Sequence, residues 1–174
     1  MQYIKNGKIS ADTWVHAGAD DELPATGGVI VPLARWAAAR DMLLARKAPL
    51  GVRLASSESP EKIRADLGRF DLVALEFPIF RDGRAYSYAR LLREQYGFKG
   101  ELRAVGNVLY DQFLFMHRCG FDAYEVQKDA DAERFARALS EFTVRYQPDA
   151  DGSPSAIQLR HQPQRNVKNA GSRP

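Results

Sequence analysis

Residues 71–106 read DLVALEFPIFRDGRAYSYARLLREQYGFKGELRAVG, and this stretch decides the fold. An apolar run over residues 72–75 ends in Glu76 and is followed by Phe77-Pro78-Ile79-Phe80. The polar group Arg81-Asp82-Gly83-Arg84 comes next. From Ala85 onward, apolar residues recur at helical spacing through Tyr88, Ala89, Leu92 and Tyr96, and Gly97 is placed to end the helix. A second strand pattern over residues 101–105 stops at Gly106-Asn107. Strand, loop, helix and strand make a βα repeat whose loop gathers acid, guanidinium, hydroxyl and aromatic groups.

The same alternation extends outward in both directions. Toward the N-terminus, residues 50–55 read as a strand, and Ser59-Pro60 supplies an N-cap followed by proline at the first helical position. That predicts a helix to about Leu67, closed by Gly68. Before it come a short strand at 29–31 and a helix at 34–46 rich in Ala, Leu and Arg. Residues 2–9 and 12–17 read as short strands about a turn at Asn6-Gly7, a hairpin signal. Toward the C-terminus, Asn107 is suited to cap a helix over 108–119 that Gly120 ends. A strand at 121–127 and a helix at 130–146 complete the series. The expected fold is α/β: an N-terminal β-hairpin followed by about five βα units with a mostly parallel sheet, flavodoxin-like or an open partial barrel. Residues 1–146 form the expected single domain, and residues 147–174, aperiodic and rich in Pro, Gly, Ser, Asn, Gln and Arg, form a disordered basic tail.

Composition narrows the function classes. The chain has 174 residues, enough for one domain with a proper core. It has no apolar run near the ~18 residues that span a membrane, and its first residues lack a signal-peptide core, so a cytoplasmic protein without membrane contact is expected. The single cysteine, Cys119, excludes an internal disulfide and any multi-cysteine metal or iron–sulfur site. It reads as a small core residue at a helix end. The pI of about 9.1 does not imply a nucleic-acid partner. The tail holds Arg160, Arg165, Lys168 and Arg173 against Asp149 and Asp151, and so carries +2 of the formal +3. His16, His117 and His161 lack ligand spacing, so a metal is not expected. Neither a Gly-x-Gly-x-x-Gly fingerprint nor a P-loop is present, and the cofactor is left unknown.

Several motifs resemble a bacterial family of unknown function. They are Glu76-Phe77-Pro78, Asp82-Gly83-Arg84, Tyr86-Ser87, Ala89-Arg90-Leu91-Leu92-Arg93, the run at 100–106, and Arg118-Cys119-Gly120-Phe121-Asp122-Ala123. The resemblance covers roughly residues 1–146. Members of that family are described as probable oxidoreductases of sulfite reduction and are commonly encoded beside sulfite reductase. The resemblance implies a role in assimilatory sulfite reduction, with sulfite reductase or other sulfur-assimilation proteins as partners. The missing cofactor motif turns the expectation toward an accessory protein that binds a small oxyanion, the reductase, or both. A small enzyme acting on an oxyanion or sulfur species is the alternative, a protein with a non-covalent flavin is a third reading, and homo-oligomerisation is left open.

Site residues follow from the rule that ligands of parallel α/β folds sit at the carboxyl ends of the strands. Glu76 is placed there as an acid or base, and Asp111 lies in the first turns of the next helix. Arg81, Arg84 and Ser87, with Arg103 from the following strand, are the candidate anion-binding residues. The competing reading pairs these arginines with Asp82 and Glu76 to fix the loop. The dense aromatic helix over 108–119 is read as buried all round or as meeting a partner on one face, with Phe115 and Arg118 the candidate contacts.

Overall fold

The computed structural model describes residues 2–126, 133, 137–138, 144–148, 150 and 154–161. Three short strands open the chain: β1 Gln2–Lys5, β2 Lys8–Ser10 and β3 Trp14–His16. Then β4 Gly28–Pro32 leads into helices α1 Leu33–Ala38 and α2 Arg40–Ala45, and β5 Leu50–Leu54 into a 3₁₀ helix, Pro60–Arg69. Strand β6 Leu72–Phe77 precedes α3 Arg84–Arg90, which widens into a π-helical turn, Leu91–Gln95. Strand β7 Glu101–Gly106, helix α4 Tyr110–Arg118 and strand β8 Ala123–Val126 follow. Helix α5, Ala156–His161, lies in the tail.

The eight strands form one sheet in the order β2-β1-β8-β7-β6-β5-β4-β3. From β3 to β8 the pairs are parallel, and the β1–β2 hairpin adds antiparallel to β8. From β4 to β8 each strand lies beside its predecessor in sequence. Right-handed crossovers of that kind place every connecting helix on the same face. A flavodoxin-like sheet reverses direction at its first strand and carries helices on both faces; the sequential order here is that of the open partial barrel. The sheet is curled. Strands β8 and β3 stand five steps apart, roughly 24 Å across a flat sheet, yet His16 Nε2 lies 2.7 Å from Glu125 Oε1.

Alternation along the strands sorts the side chains onto two faces. Val31, Val52, Leu75, Phe77, Leu102 and Tyr124 belong to the large core under the helices. Their neighbours point into the concavity, where Ile30, Leu72, Ala74 and Val105 form a second, smaller cluster capped by Trp14. Charged residues, with Tyr3 among them, occupy much of the rest of that inner face. At the carboxyl end of β7 the chain approaches β6 closely: a Cβ on Gly106 would stand 2.6 Å from the Phe77 carbonyl oxygen, at a backbone φ of +89°. Gly106→Ala is therefore expected to lose about 1–3 kcal/mol of stability, read as a lower urea midpoint. An unchanged midpoint would show that the β6–β7 ends separate freely.

Some boundaries differ from those expected, for local reasons. The hairpin turn at Asn6-Gly7 forms, with both residues at positive φ, but within residues 2–10 alone. Strand β3 joins the opposite edge of the sheet instead, beginning from a turn in which Trp14 N donates to Asp12 Oδ1 at 3.1 Å. The helix expected over 34–46 breaks at Ala39, whose φ of −122° and ψ of 28° are not helical. Ser59 does cap its helix, accepting from Glu61 N at 3.3 Å, but the turns it caps are 3₁₀ and run past Gly68 to Arg69. Asn107 is not a cap: α4 starts three residues later, behind Leu109, while Val108 is buried. Gln127 and most of the expected helix at 130–146 lie outside the described residues; Glu133, Arg137 and Ala138 are helical, and Ala138 is in the core. Within the tail, α5 begins with a capping box: Gln158 N donates to Ser155 Oγ at 3.3 Å and Ser155 N to Gln158 Oε1 at 2.7 Å. Residues 162–174 lie outside the described residues.

Candidate functional site

Charged side chains meet inside the curl. Arg103, at the middle of β7, is fully buried. Its guanidinium donates to Asp12 Oδ2 at 2.8 Å, Glu101 Oε1 at 2.8 Å and Glu125 Oε1 at 2.9 Å, and stacks over the Tyr3 ring at 4.4 Å. Lys5 Nζ reaches the other oxygen of Glu101 at 2.7 Å, and His16 Nε2 lies 2.7 Å from Glu125. Alternation explains the convergence. Glu101 and Arg103 are two apart on β7, Tyr3 and Lys5 two apart on β1, and Glu125 on β8 pairs in register with Tyr3.

The electrostatics follow from burial and pairing together. Burial works to lower the Arg103 pKa, but hydrogen bonds to Asp12 and Glu125 and the charge of Glu101 prevail and hold it above the ordinary arginine value. Burial likewise works to raise the Glu125 carboxyl, and the hydrogen bonds from His16 and Arg103 prevail, leaving it below its ordinary range. Tyr3 is pushed up, first by burial and then by the Glu101 charge. Asp12, His16 and Glu125 bring one ligand-type atom each within 4.8 Å of one another. A cation there would stand against a guanidinium already bonded to both carboxylates, so the cluster is better described as an ion network than as a metal centre.

One member of the network, His16, also lines a cavity at the carboxyl ends of the strands. The cavity has a volume of about 300 Å³, at the lower end of ligand-sized cavities, and is lined by His16, the Ala17–Ala19 turn, Ile30, Pro32 and Arg53. Arg53 projects from β5 onto the concave face, with its side chain 46% exposed. Its nearest acid is Glu76, at 3.8 Å from Nε. That is a loose pair beside the 2.5–2.9 Å contacts of Arg40 and Arg103. Two cavities of about 520 Å³ lie elsewhere. One is at the amino ends of the strands near Tyr96 and Phe98, and the other is on the helical face between α1 and the 3₁₀ helix. Neither gathers the inner-face charges, and the carboxyl-end cavity is the candidate site.

The expected site residues are distributed as follows. Glu76 lies at the carboxyl end of β6, as expected, and its side chain is on the inner face, 3.8 Å from Arg53 Nε. Arg84 is engaged by Asp82 at 2.6 Å and Ser56 Oγ at 3.1 Å, so the loop-fixing reading describes it; its hydrogen bond is the first cause holding the Asp82 carboxyl well below the usual range. Arg81 and Ser87 are exposed nearby, and Arg81 has no ion pair among the described residues. Arg103 does not join them, because its side chain is saturated by carboxylates inside the curl. Asp111 is exposed on the first turn of α4, on the helical side. Helix α4 buries Phe113 and Met116 and exposes Phe115, whose ring rests on Tyr86 at 4.8 Å between centroids. Burial pushes Tyr86 up to about 12. Arg118 and Leu114 face the chain's own residues Val144 to Gln147 across a cavity of about 380 Å³. Cys119 is buried in the core, as expected.

Asp12, His16, Arg53, Glu101 and Glu125 were not singled out by sequence. A signal for three of them was present. Parallel strands covered on both faces read as near-continuous apolar runs, whereas Arg53, Glu101 and Glu125 interrupt theirs at alternate positions. Such interruptions mark a sheet with one face left open.

The fold and the site thus define a curled, mostly parallel α/β protein with a buried ion network beneath a small open cavity. Residues 51–157, more than half of the chain, match the model of a family described as "Bacterial protein of unknown function (DUF934)", and the chain belongs to that family. No curated protein and no solved structure matches it. The matched residues include Arg53, Glu76, Glu101, Arg103 and Glu125, while Asp12 and His16 precede them. Among the described residues no helix is long and apolar enough to cross a membrane.

Proposed function

We propose that this chain is an accessory protein of assimilatory sulfite reduction that binds a small oxyanion in the His16–Arg53 cavity and delivers it to, or holds it beside, sulfite reductase. The observation that carries the reading is Arg53: a half-exposed guanidinium lining a cavity, whose one ion pair among the described residues is a carboxylate 3.8 Å away. Its fork of donors suits a planar or pyramidal oxyanion. The motifs shared with a family encoded beside sulfite reductase point to sulfite as the first ligand to try. Glu76, a partly exposed carboxylate beside Arg53, favours the second reading, a small enzyme acting on the same oxyanion.

Titration calorimetry with sulfite tests the binding. Arg53→Ala is expected to weaken sulfite at least tenfold, since a hydrogen bond to a charged group contributes about 1.5–3 kcal/mol. Equal affinity in both proteins would overturn the assignment of Arg53. Growth of a deletion strain tests the pathway. Rescue by sulfide and not by sulfite supports it, and normal growth on sulfate, sulfite and sulfide as sole sulfur sources overturns it.

A further inference from the structure

We infer that His16 is the proton-exchanging group of this cavity, so that the oxyanion is bound together with a proton. The inference rests on the oxyanion reading and adds to it a residue, a tautomer and a chemical class of ligand. Glu125 accepts from Arg103 at 2.9 Å and lies 2.7 Å from His16 Nε2. Its side chain is 9% exposed. A carboxylate held ionised by a guanidinium has no proton to give, so the proton of the His16–Glu125 hydrogen bond belongs to Nε2. That fixes the imidazole with Nδ1 as its unprotonated nitrogen when neutral. Nδ1 has no hydrogen-bond partner among the described residues, and His16 lines the cavity with Arg53.

The surrounding charges are unequal in number. Asp12, Glu101 and Glu125 contribute three negative charges against the two of Arg103 and Lys5, so the network is one positive charge short while His16 is neutral. Outside it, Arg53 and Glu76 face one another and offset. A proton on His16 Nδ1 would balance the network and make that nitrogen a donor on a residue that shares the cavity with Arg53. The cavity is then suited to a monoanion accompanied by a proton, or to an oxyanion that carries its own. Glu125 is a positioning residue: it holds the ring and sets which nitrogen exchanges.

Sulfite is the probe, titrated by calorimetry into the full chain at several pH values between about 5 and 8, where imidazoles change charge, in buffers of different ionisation enthalpy. Sulfite exchanges a proton with solvent over the same range, so the comparison that counts is wild type against His16→Gln. Affinity in the wild type is expected to rise as pH falls, with up to one more proton taken up per anion than in His16→Gln. The variant keeps Arg53 and is expected to bind with a flatter pH profile. Equal proton uptake in the two proteins, with binding retained, overturns the role of His16 and leaves the oxyanion reading standing. Absence of sulfite binding in the wild type overturns both. Nitrogen NMR of the free protein checks the tautomer without a ligand: protonation of neutral His16 at Nε2 is expected, and protonation at Nδ1 overturns the inference. Glu125→Gln, checked for folding by circular dichroism, is expected to shift the pH profile, which a purely structural role would not do.

Discussion

Replacing Arg103 with methionine is expected to destabilise the protein by about 3–5 kcal/mol, because it leaves buried charges without their partner. The side chain is fully buried and serves three carboxylates at 2.8–2.9 Å. Methionine fills much of the volume and so separates the loss of charge from the loss of packing. Lys5 and His16 remain near Glu101 and Glu125, but Asp12 loses both bonds that tie the start of β3 across the curl. On a total stability of about 5–15 kcal/mol this is a large share. Arg103→Lys keeps the charge and loses the fork of donors, and an intermediate loss is expected. Urea denaturation checks both; a loss under ~1 kcal/mol for the methionine variant would mean that water reaches the carboxylates.

The same network limits stability in acid. The Glu125 carboxyl is held below its ordinary value of 4.5 in the folded protein, so its contribution is fully present above that pH and is lost as pH falls through the folded value. Asp122, raised by burial despite the Arg93 charge, works in the opposite direction and offsets part of the loss. In the methionine variant the Glu125 share of the acid dependence is expected to shrink, since one of the two bonds that depress its pKa is gone.

Phe77→Ala is the second large effect, at about 3–5 kcal/mol. Phe77 closes β6 on the helical side and is 2% exposed, with the Tyr86 ring at 5.0 Å and the Phe121 ring at 5.7 Å. Its removal opens a cavity directly beneath α3 and beside the Gly106 contact. Glu76 precedes it in the strand and faces the candidate site, so loosening this end should also weaken sulfite binding. A thermal or urea midpoint reports the first effect and calorimetry at low temperature the second. Loss of stability without any change in affinity would show that the inner face is held independently of the helical core.

Local chemistry made much of the fold legible. The apolar runs before Glu76 and at 50–55, the Ser59-Pro60 cap, the Asn6-Gly7 turn and the glycines at 97 and 120 each state their structure within a few residues. Where the reading went astray, a neighbour distant in sequence had decided. Residues 12–17 look like the partner of the preceding strand, yet β3 pairs with β4 at the far edge because the sheet curls and Arg103 holds Asp12. Ser155 and Gln158 carried a legible capping box inside a segment whose composition alone argued for disorder.

For the site, sequence placed Glu76 at the carboxyl end of its strand and put a cluster of arginines nearby. It had no means of telling which arginine stays open. Arg84 and Arg103 look like Arg53 on paper, and only their neighbours differ: Asp82 and Ser56 engage the first, three carboxylates the second, and a distant Glu76 the third. Sequence by itself determined the βα repeat, the caps and turns, and the alternation that sends charge to one face, because these depend on residues within a turn or a strand of one another. The tertiary structure alone decided the curl, the joining of Asp12 and His16 to Arg103 and Glu125, and the choice of Arg53, because the first two depend on contacts across 91 and 109 residues of chain and the last on which side chains reach each arginine, and no local pattern encodes either.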